Sequence, residues 1–280
     1  MPVGGGRGAL PDSNRRPAVS LFVGSLATTE GAATAGLKVQ RFADSPVTRV
    51  SRWCFNCYLI DGDDGNVVVV DAFMPKIVTD LAPILADRRP AVVTATHGHP
   101  DHLSGAPAIA TRYGAGIYLA TTTLAYIDRN ARPRTPNVAK LARTWPLLFG
   151  QPFDLKAALG FVAGSSTVGL GTSRGMLWPG PAPAGGLRDG DPLPGASAWT
   201  VITTPGHADD GIAFWHEDSR TLLSGDAVIT MYGKPRFAPD MIDAAAAART
   251  AARLRALPVE HMLPGHGRPL HGVAVLAAAR

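Results

Sequence analysis

The run Thr96-His97-Gly98-His99-Pro100-Asp101-His102 is the most informative stretch of the chain, because it places four potential metal ligands within six residues. It directly follows the apolar, strand-like run 91–95. Gly98 allows the sharp turn that lets His97 and His99 reach one ion. The proline behind them can open a short helix that carries the last two ligands. The run therefore predicts a metal site at the end of a strand, with a second ion beside the first.

Three further segments each place a ligand-type side chain on a glycine-bearing turn after an apolar run. They are Thr203-Thr204-Pro205-Gly206-His207, Ser224-Gly225-Asp226 and Leu263-Pro264-Gly265-His266-Gly267. α/β scaffolds present catalytic groups in this way, on loops at the ends of strands. Crowding histidines on a surface turn has little structural purpose. The sequence therefore predicts seven metal ligands, namely His97, His99, Asp101, His102, His207, Asp226 and His266.

In motif order and strand-end context, this set resembles the metallo-β-lactamase superfamily of hydrolases over about residues 37–266. The resemblance implies an α+β or α/β fold, a four-layer αββα sandwich with the metals at one edge of two facing sheets. It also implies two divalent ions as cofactors, with Zn2+ preferred and Mn2+ or Fe as alternatives.

The resemblance further assigns a role to each ligand position. His97, His99 and His207 hold one ion, Asp101, His102 and His266 hold the second, and Asp226 bridges the two. Asp71 closes the strand 67–70 and matches a family aspartate that supports a metal-binding histidine from outside the ligand set. A carboxylate that only caps a turn is the alternative for Asp71.

Composition limits the class of protein. The chain has 280 residues, 46% hydrophobic and 18% charged, enough for the core of one α/β domain. A net charge of +5 is modest; it mildly favours anionic substrates and does not indicate nucleic-acid binding. The expected partner is a small-molecule substrate. The sequence contains no apolar run of about 18 residues that could span a bilayer. The oligomeric state stays open, a homodimer included.

Residues 1–36 differ from the rest of the chain and predict a flexible N-terminal extension before a metallo-β-lactamase-like domain over 37–280. The extension is rich in glycine and proline, and its segment 15–35 has the layout of a weak signal peptide. The apolar part is short and interrupted by serines and a glycine, which favours a cytoplasmic protein. Export through this segment is the alternative.

The segment 126–186 predicts a lid or insert beside the site, because it is long, poorly periodic and rich in basic and apolar residues. A peripheral helical subdomain is the alternative. Tyr232, Lys234 and Arg236, in the loop after Asp226, are candidates for orienting a substrate carbonyl or carboxylate.

Periodicity predicts strands at 37–42, 54–60, 67–71 and 91–95 and helices at about 104–113 and 241–257. Asp240 is the expected cap of the last helix. The two cysteines, Cys54 and Cys57, are expected in the core rather than as a functional pair. The remaining histidines, His216, His261 and His271, have no ligand neighbour at useful spacing in the sequence.

Within the superfamily, Asp226 together with His102 resembles the dinuclear pattern of glyoxalase II-like thioesterases and lactonases. This resemblance implies hydrolysis of a lactone, ester or thioester by a hydroxide that bridges two ions. Asp226 and Asp101 are the expected catalytic residues, Asp226 as the bridge and Asp101 as a proton carrier. A mononuclear iron persulfide dioxygenase using His97, His207 and Asp226 is the alternative. A β-lactamase is less favoured because the family's β-lactamases depart from this seven-ligand set, and attack on a phosphodiester is less favoured than attack on a carbonyl. A non-catalytic scaffold is less favoured because such proteins usually lose ligands, and here all seven are present.

Overall fold

The structure is a computed structural model that describes residues 36–134, 142–144, 153–167 and 176–280. Residues 1–35, to which most of the predicted extension and its signal-like segment belong, lie outside the described residues. In the segment 126–186, the described parts are 126–134, 142–144, 153–167 and 176–186. Among the described residues, no helix has both the length and the apolar character needed to cross a membrane.

Two β-sheets form the centre of the molecule. The first has seven strands in chain order: β1 Leu37–Arg41, β2 Val47–Arg52, β3 Phe55–Asp61, β4 Val67–Val70, β5 Pro90–Thr94, β6 Gly116–Ala120 and β7 Gly185–Leu187. The second contains β8 Pro192–Leu193, β9 Ala196–Thr203, β10 Ile212–His216, β11 Thr221–Gly225, β14 His261–Pro264 and β15 Leu270–His271. Its spatial order is β15-β14-β11-β10-β9-β8. A separate hairpin is formed by β12 Val228–Met231 and β13 Lys234–Phe237.

Helices occur along the chain between and after the strands. The described helices are α1 Ile77–Leu85, α2 Pro100–Leu103, α3 Ala106–Tyr113, α4 Thr121–Ile127, α5 Leu155–Thr167 and α6 Ala244–Arg255. The last helix is shorter than the predicted 241–257, and the prediction that Asp240 caps it is wrong. Asp243, not Asp240, accepts a hydrogen bond from the Ala246 N–H at 2.9 Å. Asp240 is instead directed at a histidine, as described below.

The strand β4 shows why the chain forms four layers. Its four valines are all buried, and successive side chains of a strand point to opposite faces. Val67 and Val69 pack into a cluster with Ile77 and Leu81 of α1, whereas Val68 and Val70 pack between the two sheets. Each fully buried valine contributes about 1.5–3 kcal/mol relative to an exposed one.

The second sheet repeats this arrangement on its own outer face. Leu222 and Met262 pack against Leu254 of α6, while Leu223 and Leu263 face the first sheet. The molecule is therefore a helix–sheet–sheet–helix sandwich, as the sequence predicts. Both cysteines are buried and free, as expected.

Candidate metal centre

Loops at one edge of the sandwich carry the seven predicted ligands. β4 and β5 run parallel in the first sheet, and β11 and β14 run parallel in the second, so their carboxyl ends share an edge. Each of four strands is followed within a few residues by a ligand: His97 after β5, His207 after β9, Asp226 after β11 and His266 after β14. Asp101 and His102 lie on α2, whose first residue is Pro100.

The first group of donors is made of His97, His99 and His207. Their ligand atoms lie within 4.8 Å of one another, and His99 Nδ1 is 3.1 Å from His207 Nε2. Two nitrogens bound to one tetrahedral zinc at about 2.0–2.1 Å lie about 3.3 Å apart. The spacing of these imidazoles therefore fits one shared ion.

The second group is made of Asp101, His102 and His266, also within 4.8 Å. Asp101 Oδ2 is 3.1 Å from His266 Nε2 and 3.9 Å from His102 Nε2. Carboxylate and imidazole donors at these separations suit a second divalent ion of the same kind.

Asp226 lies between the two groups. Its Oδ2 is 3.3 Å from His266 Nε2, 3.5 Å from His102 Nε2 and 3.6 Å from His207 Nε2. One carboxylate therefore contacts donors from both groups, which is the position that a bridging ligand requires.

Three donor atoms of the cluster are buried without a hydrogen-bond partner: His97 Nε2, His102 Nε2 and Asp226 Oδ1. A buried polar atom left unsatisfied costs about 1–3 kcal/mol. A metal ion held by these atoms would remove that cost. The donor set therefore fits divalent metal ions.

The electrostatics of the cluster keep His97, His99 and the central carboxylate of Asp226 in the protonation states that bind metals. Burial lowers the pKa of His97 well below its usual value, and the neighbouring His102 and His99 lower it further. Burial and His207 lower the pKa of His99 to about 3. Burial raises the pKa of Asp226, but His266 and His102 outweigh this effect and hold it well below its usual range. These histidines are thus neutral, and this carboxylate is ionised, at neutral pH.

His266 behaves differently, as do His102 and His207, because burial lowers their pKa values but nearby carboxylates raise them above the usual value. Burial lowers the pKa of His266, but Asp226 and Asp101 together raise it well above its usual value. A metal ion that binds His266 must therefore displace a proton.

Asp71 supports the cluster from the end of β4. Its Oδ2 lies 3.0 Å from His102 Nδ1, and its two oxygens accept hydrogen bonds from Thr96 N–H at 2.7 Å and Thr96 Oγ1–H at 3.0 Å. Because Nδ1 of His102 is engaged by Asp71, its Nε2 is left for a metal. Asp71 has φ +58°, a left-handed conformation that aspartate and asparagine tolerate better than most residues.

Two outer partners of the ligands were missed in the sequence. Asp240 Oδ1 accepts from His207 Nδ1–H at 3.1 Å, and the carbonyl of Cys54 accepts from His266 Nδ1–H at 3.1 Å. Both contacts turn Nε2 of the histidine toward the centre. In the sequence, Asp240 is recognisable only as an acidic residue that follows the hairpin after Asp226. A contact made by a backbone carbonyl cannot be recognised from the residue type.

Asp210 is the third missed residue, and it fixes the loop between His97 and His99. Its Oδ2 accepts from Gly98 N–H at 2.9 Å and from Thr123 Oγ1–H at 2.7 Å. The loop is tightly enclosed, since a Cβ at Gly98 would lie 2.8 Å from that same oxygen and 2.6 Å from Met176 Cε. Burial raises the pKa of Asp210, although both hydrogen bonds lower it.

A small, partly open cavity lies beside His99. Residues of the predicted lid form part of its wall: Tyr126, Pro133, Arg134 and Met176. The Arg134 guanidinium is not free, because it pairs with Asp209 and, at 3.5 Å, with Asp243. Phe161 of α5 stacks on Phe55 with ring centroids 5.8 Å apart. The centroid of the Phe55 ring is in turn 5.7 Å from that of the His266 ring.

The three predicted substrate residues lie on the hairpin β12–β13. Tyr232 occupies its turn and is 78% exposed, Lys234 is exposed, and Arg236 is half-buried. The hairpin is anchored next to the centre, since Thr230 N–H donates to the carbonyl of His266 at 3.1 Å. Among the described residues, no hydrogen bond or ion pair joins these three side chains to the ligands.

The fold and the donor cluster define a class of metal-dependent hydrolases. A family model described as the metallo-beta-lactamase superfamily matches residues 56–266, and the chain belongs to this superfamily. One relative is the probable metallo-hydrolase YflN of Bacillus subtilis (strain 168). It is 27% identical over 247 residues, which cover 78% of this chain and 82% of YflN. The chain is thus a metallo-hydrolase in the broad sense.

Solved structures support the fold. BLEG-1 B3 metallo-beta-lactamase aligns with a TM-score of 0.53 and 19% identity, covering 79% of this chain and 89% of that one. TTHA1623 in a di-iron-bound form aligns with a TM-score of 0.53 and 22% identity, covering 82% and 95%. Likeness at such identities concerns the fold alone and leaves substrate and metal open.

Proposed function

We propose that this protein hydrolyses a lactone, ester or thioester in a dinuclear centre held by the seven converging side chains. One observation carries the proposal. Three buried donor atoms, His97 Nε2, His102 Nε2 and Asp226 Oδ1, have no partner, while the opposite nitrogen of each of these two rings is engaged. Side chains held in this way are preorganised for metal ions.

When bound, two divalent ions supply a hydroxide near neutral pH and polarise the substrate carbonyl. The protein holds the donors still and keeps Asp226 ionised between the two groups. Asp101 is the more exposed of the two ligand carboxylates, with 18% of its side chain accessible against 8% for Asp226. We assign to Asp101 the transfer of a proton to the leaving group, because it can be reached from the cleft.

The cavity beside His99 supports a substrate with an uncharged tail. Pro133 and Met176 supply apolar wall, and the guanidinium of Arg134 is neutralised by Asp209. An anionic tail gains little from a cation that is already paired. We assign this wall to the lid segment 126–186, and we assign the hairpin with Tyr232, Lys234 and Arg236 to the facing side, where it orients the carbonyl.

The test combines metal content with a substrate panel. Protein purified without chelator is analysed by elemental mass spectrometry and then assayed with lactones, thioesters, aryl esters, phosphodiesters and β-lactams. We expect close to two divalent ions per chain and turnover confined to carbonyl esters, thioesters or lactones. A single iron per chain, with oxygen consumption on persulfide, would overturn the proposal in favour of a dioxygenase.

A further inference from the structure

Three of the eight histidines lie outside the metal centre, and the second sheet aligns them in one row. Register pairs His216 with Trp199 of β9 and Thr221 of β11, Thr221 with His261, and His261 with His271. Residues paired in register share a face of the sheet. The expectation that these histidines have no neighbour was wrong for His261 and His271, which are ten residues apart in sequence but directly opposite in space.

This row lies at the end of the sandwich remote from the metal centre. β14 begins at His261 and ends at Pro264, and His266 follows it, so at about 3.3 Å per residue His261 is about 10 Å from that end of the strand. The two regions therefore share no side chain among the described residues.

His261 and His271 form a close pair. Their Nδ1 atoms are 2.8 Å apart, and their ring centroids are 5.1 Å apart. Both rings are half-buried, and Phe42, which directly follows β1, packs on His271 with ring centroids 5.5 Å apart. Burial and the neighbouring His261 lower the pKa of His271 to about 4, so at neutral pH this imidazole is uncharged and able to bind a metal.

The surroundings of the pair differ from those of a structural histidine. In the described part of the chain, neither Nδ1 has a hydrogen-bond partner other than its neighbour. A single hydrogen between the two nitrogens accounts for the contact in the absence of a ligand. That hydrogen can move to the outer nitrogen of the same ring, which frees both Nδ1 atoms without any change in net charge.

We propose that His261 and His271 bind one divalent transition-metal ion through their two Nδ1 atoms, with water completing the coordination. Imidazole suits Zn2+, Ni2+ and Cu2+. The nitrogens need to separate from 2.8 Å to only about 3.3 Å. The exposed Asp44 interacts favourably with the His271 ring and supplies negative charge beside the ion. The ion clamps the two-residue strand β15 onto β14 at the edge of the second sheet.

The experiment is a calorimetric titration of the zinc-loaded protein with further Zn2+. We expect one additional ion per chain in wild type. We expect His261→Gln and His271→Gln each to weaken that ion at least tenfold. His216→Gln is the matched control, because it changes a histidine of the same row that contacts Ser219 and Trp199 rather than the pair. Its titration is expected to match that of wild type.

A second measurement uses only the wild-type protein and therefore does not depend on whether a variant folds. In histidine ring 15N spectra of wild-type protein, the Nδ1 signals of His261 and His271 are expected to shift together during this last addition. The proposal is overturned if wild type takes up no further Zn2+, or if the extra ion persists in both variants. Because the comparison is between wild type and variants, it stands whatever number of ions the catalytic centre holds.

Discussion

The two ends of the β-sandwich both gather histidines, but by different means and with different partners. At the metal centre, loops after parallel strands bring together residues far apart in sequence, and an outer group engages the second nitrogen of the ring, as Asp71 does for His102 and Asp240 for His207. At the opposite end, antiparallel register places His261 against His271, and within the described ranges the Nδ1 atom of each ring has only the other as a hydrogen-bond partner. Convergent donors with outer partners support the proposed catalytic centre, whereas a pair with no outer partner among the described residues supports the simpler binding site proposed above.

The largest expected difference between the two ends of the sandwich comes from removal of the metals. Dialysis against chelator is expected to lower the hydrolysis rate by on the order of 10³-fold or more, because the centre then lacks any group that ionises water near neutral pH. Activity is measured on a substrate from the panel before and after Zn2+ or Mn2+ is restored. A chelated protein that keeps its full rate would show that the cluster is not the catalytic centre.

Substitution of the central carboxylate comes next in expected effect. Asp226→Ala removes the contact with three imidazoles from both groups, so we expect loss of at least one ion per chain. The fall in rate should exceed the roughly 10–100-fold effect typical of an outer partner. Metal analysis and turnover are measured together. Two tightly held ions in this variant would mean that Asp226 does not bridge.

The outer partners allow the two ions to be told apart. Asp71→Asn and Asp240→Asn each place an amide where a carboxylate receives an imidazole N–H, and each should weaken metal binding by about 10–100-fold. The loss in Asp71→Asn should fall on the ion held by His102, and the loss in Asp240→Asn on the ion held by His207. Competition with a coloured chelator, followed in two steps, measures both. Equal weakening of both ions in both variants would contradict this division.

Substitutions of the sequence neighbours Asp210 and Asp209 are expected to have a smaller effect, and they can be compared directly through the free energy of unfolding. Asp210→Ala leaves Gly98 N–H and Thr123 Oγ1–H without their buried acceptor, so the free energy of unfolding should fall by about 1–3 kcal/mol. Asp209→Ala breaks a pair with the exposed Arg134 and should cost less than about 1 kcal/mol. Urea unfolding measures both changes. If the two costs are equal, the loop of Gly98 does not depend on Asp210.

The smallest effect is expected at the remote end. His216 is half-buried and its Nδ1 accepts from Ser219 N–H at 3.2 Å, so His216→Gln should change the free energy of unfolding by no more than about 1.5 kcal/mol. Turnover and the metal content of the catalytic centre should stay at the wild-type level. A large loss of activity in this variant would show that the two ends are coupled.

Much of the fold followed from the sequence because its signals are local. The hydrophobic period can be recognised within a few residues in the valines of β4, in the apolar run before His97 and in the alanine-rich helix α6. The strand β2 was missed, since Val47–Arg52 carries Arg49 and Arg52 at buried positions. Their burial depends on distant partners: Arg49 donates to Asn56 Oδ1 at 2.8 Å, and Arg52 pairs with Asp80 at 3.3 Å.

The sequence alone was enough to predict the candidate ligands, their positions after strands and the alternation that makes two-faced sheets, because each depends on neighbouring residues and fixed backbone periods. Only the tertiary structure decided which groups support those ligands. The sequence predicted Asp240 as a helix cap and did not single out Asp210, but folding brings them to His207 and Gly98. The pairing of His261 with His271 likewise exists only through strand register, because hydrogen bonds between strands join residues whose separation in sequence carries no periodic signal.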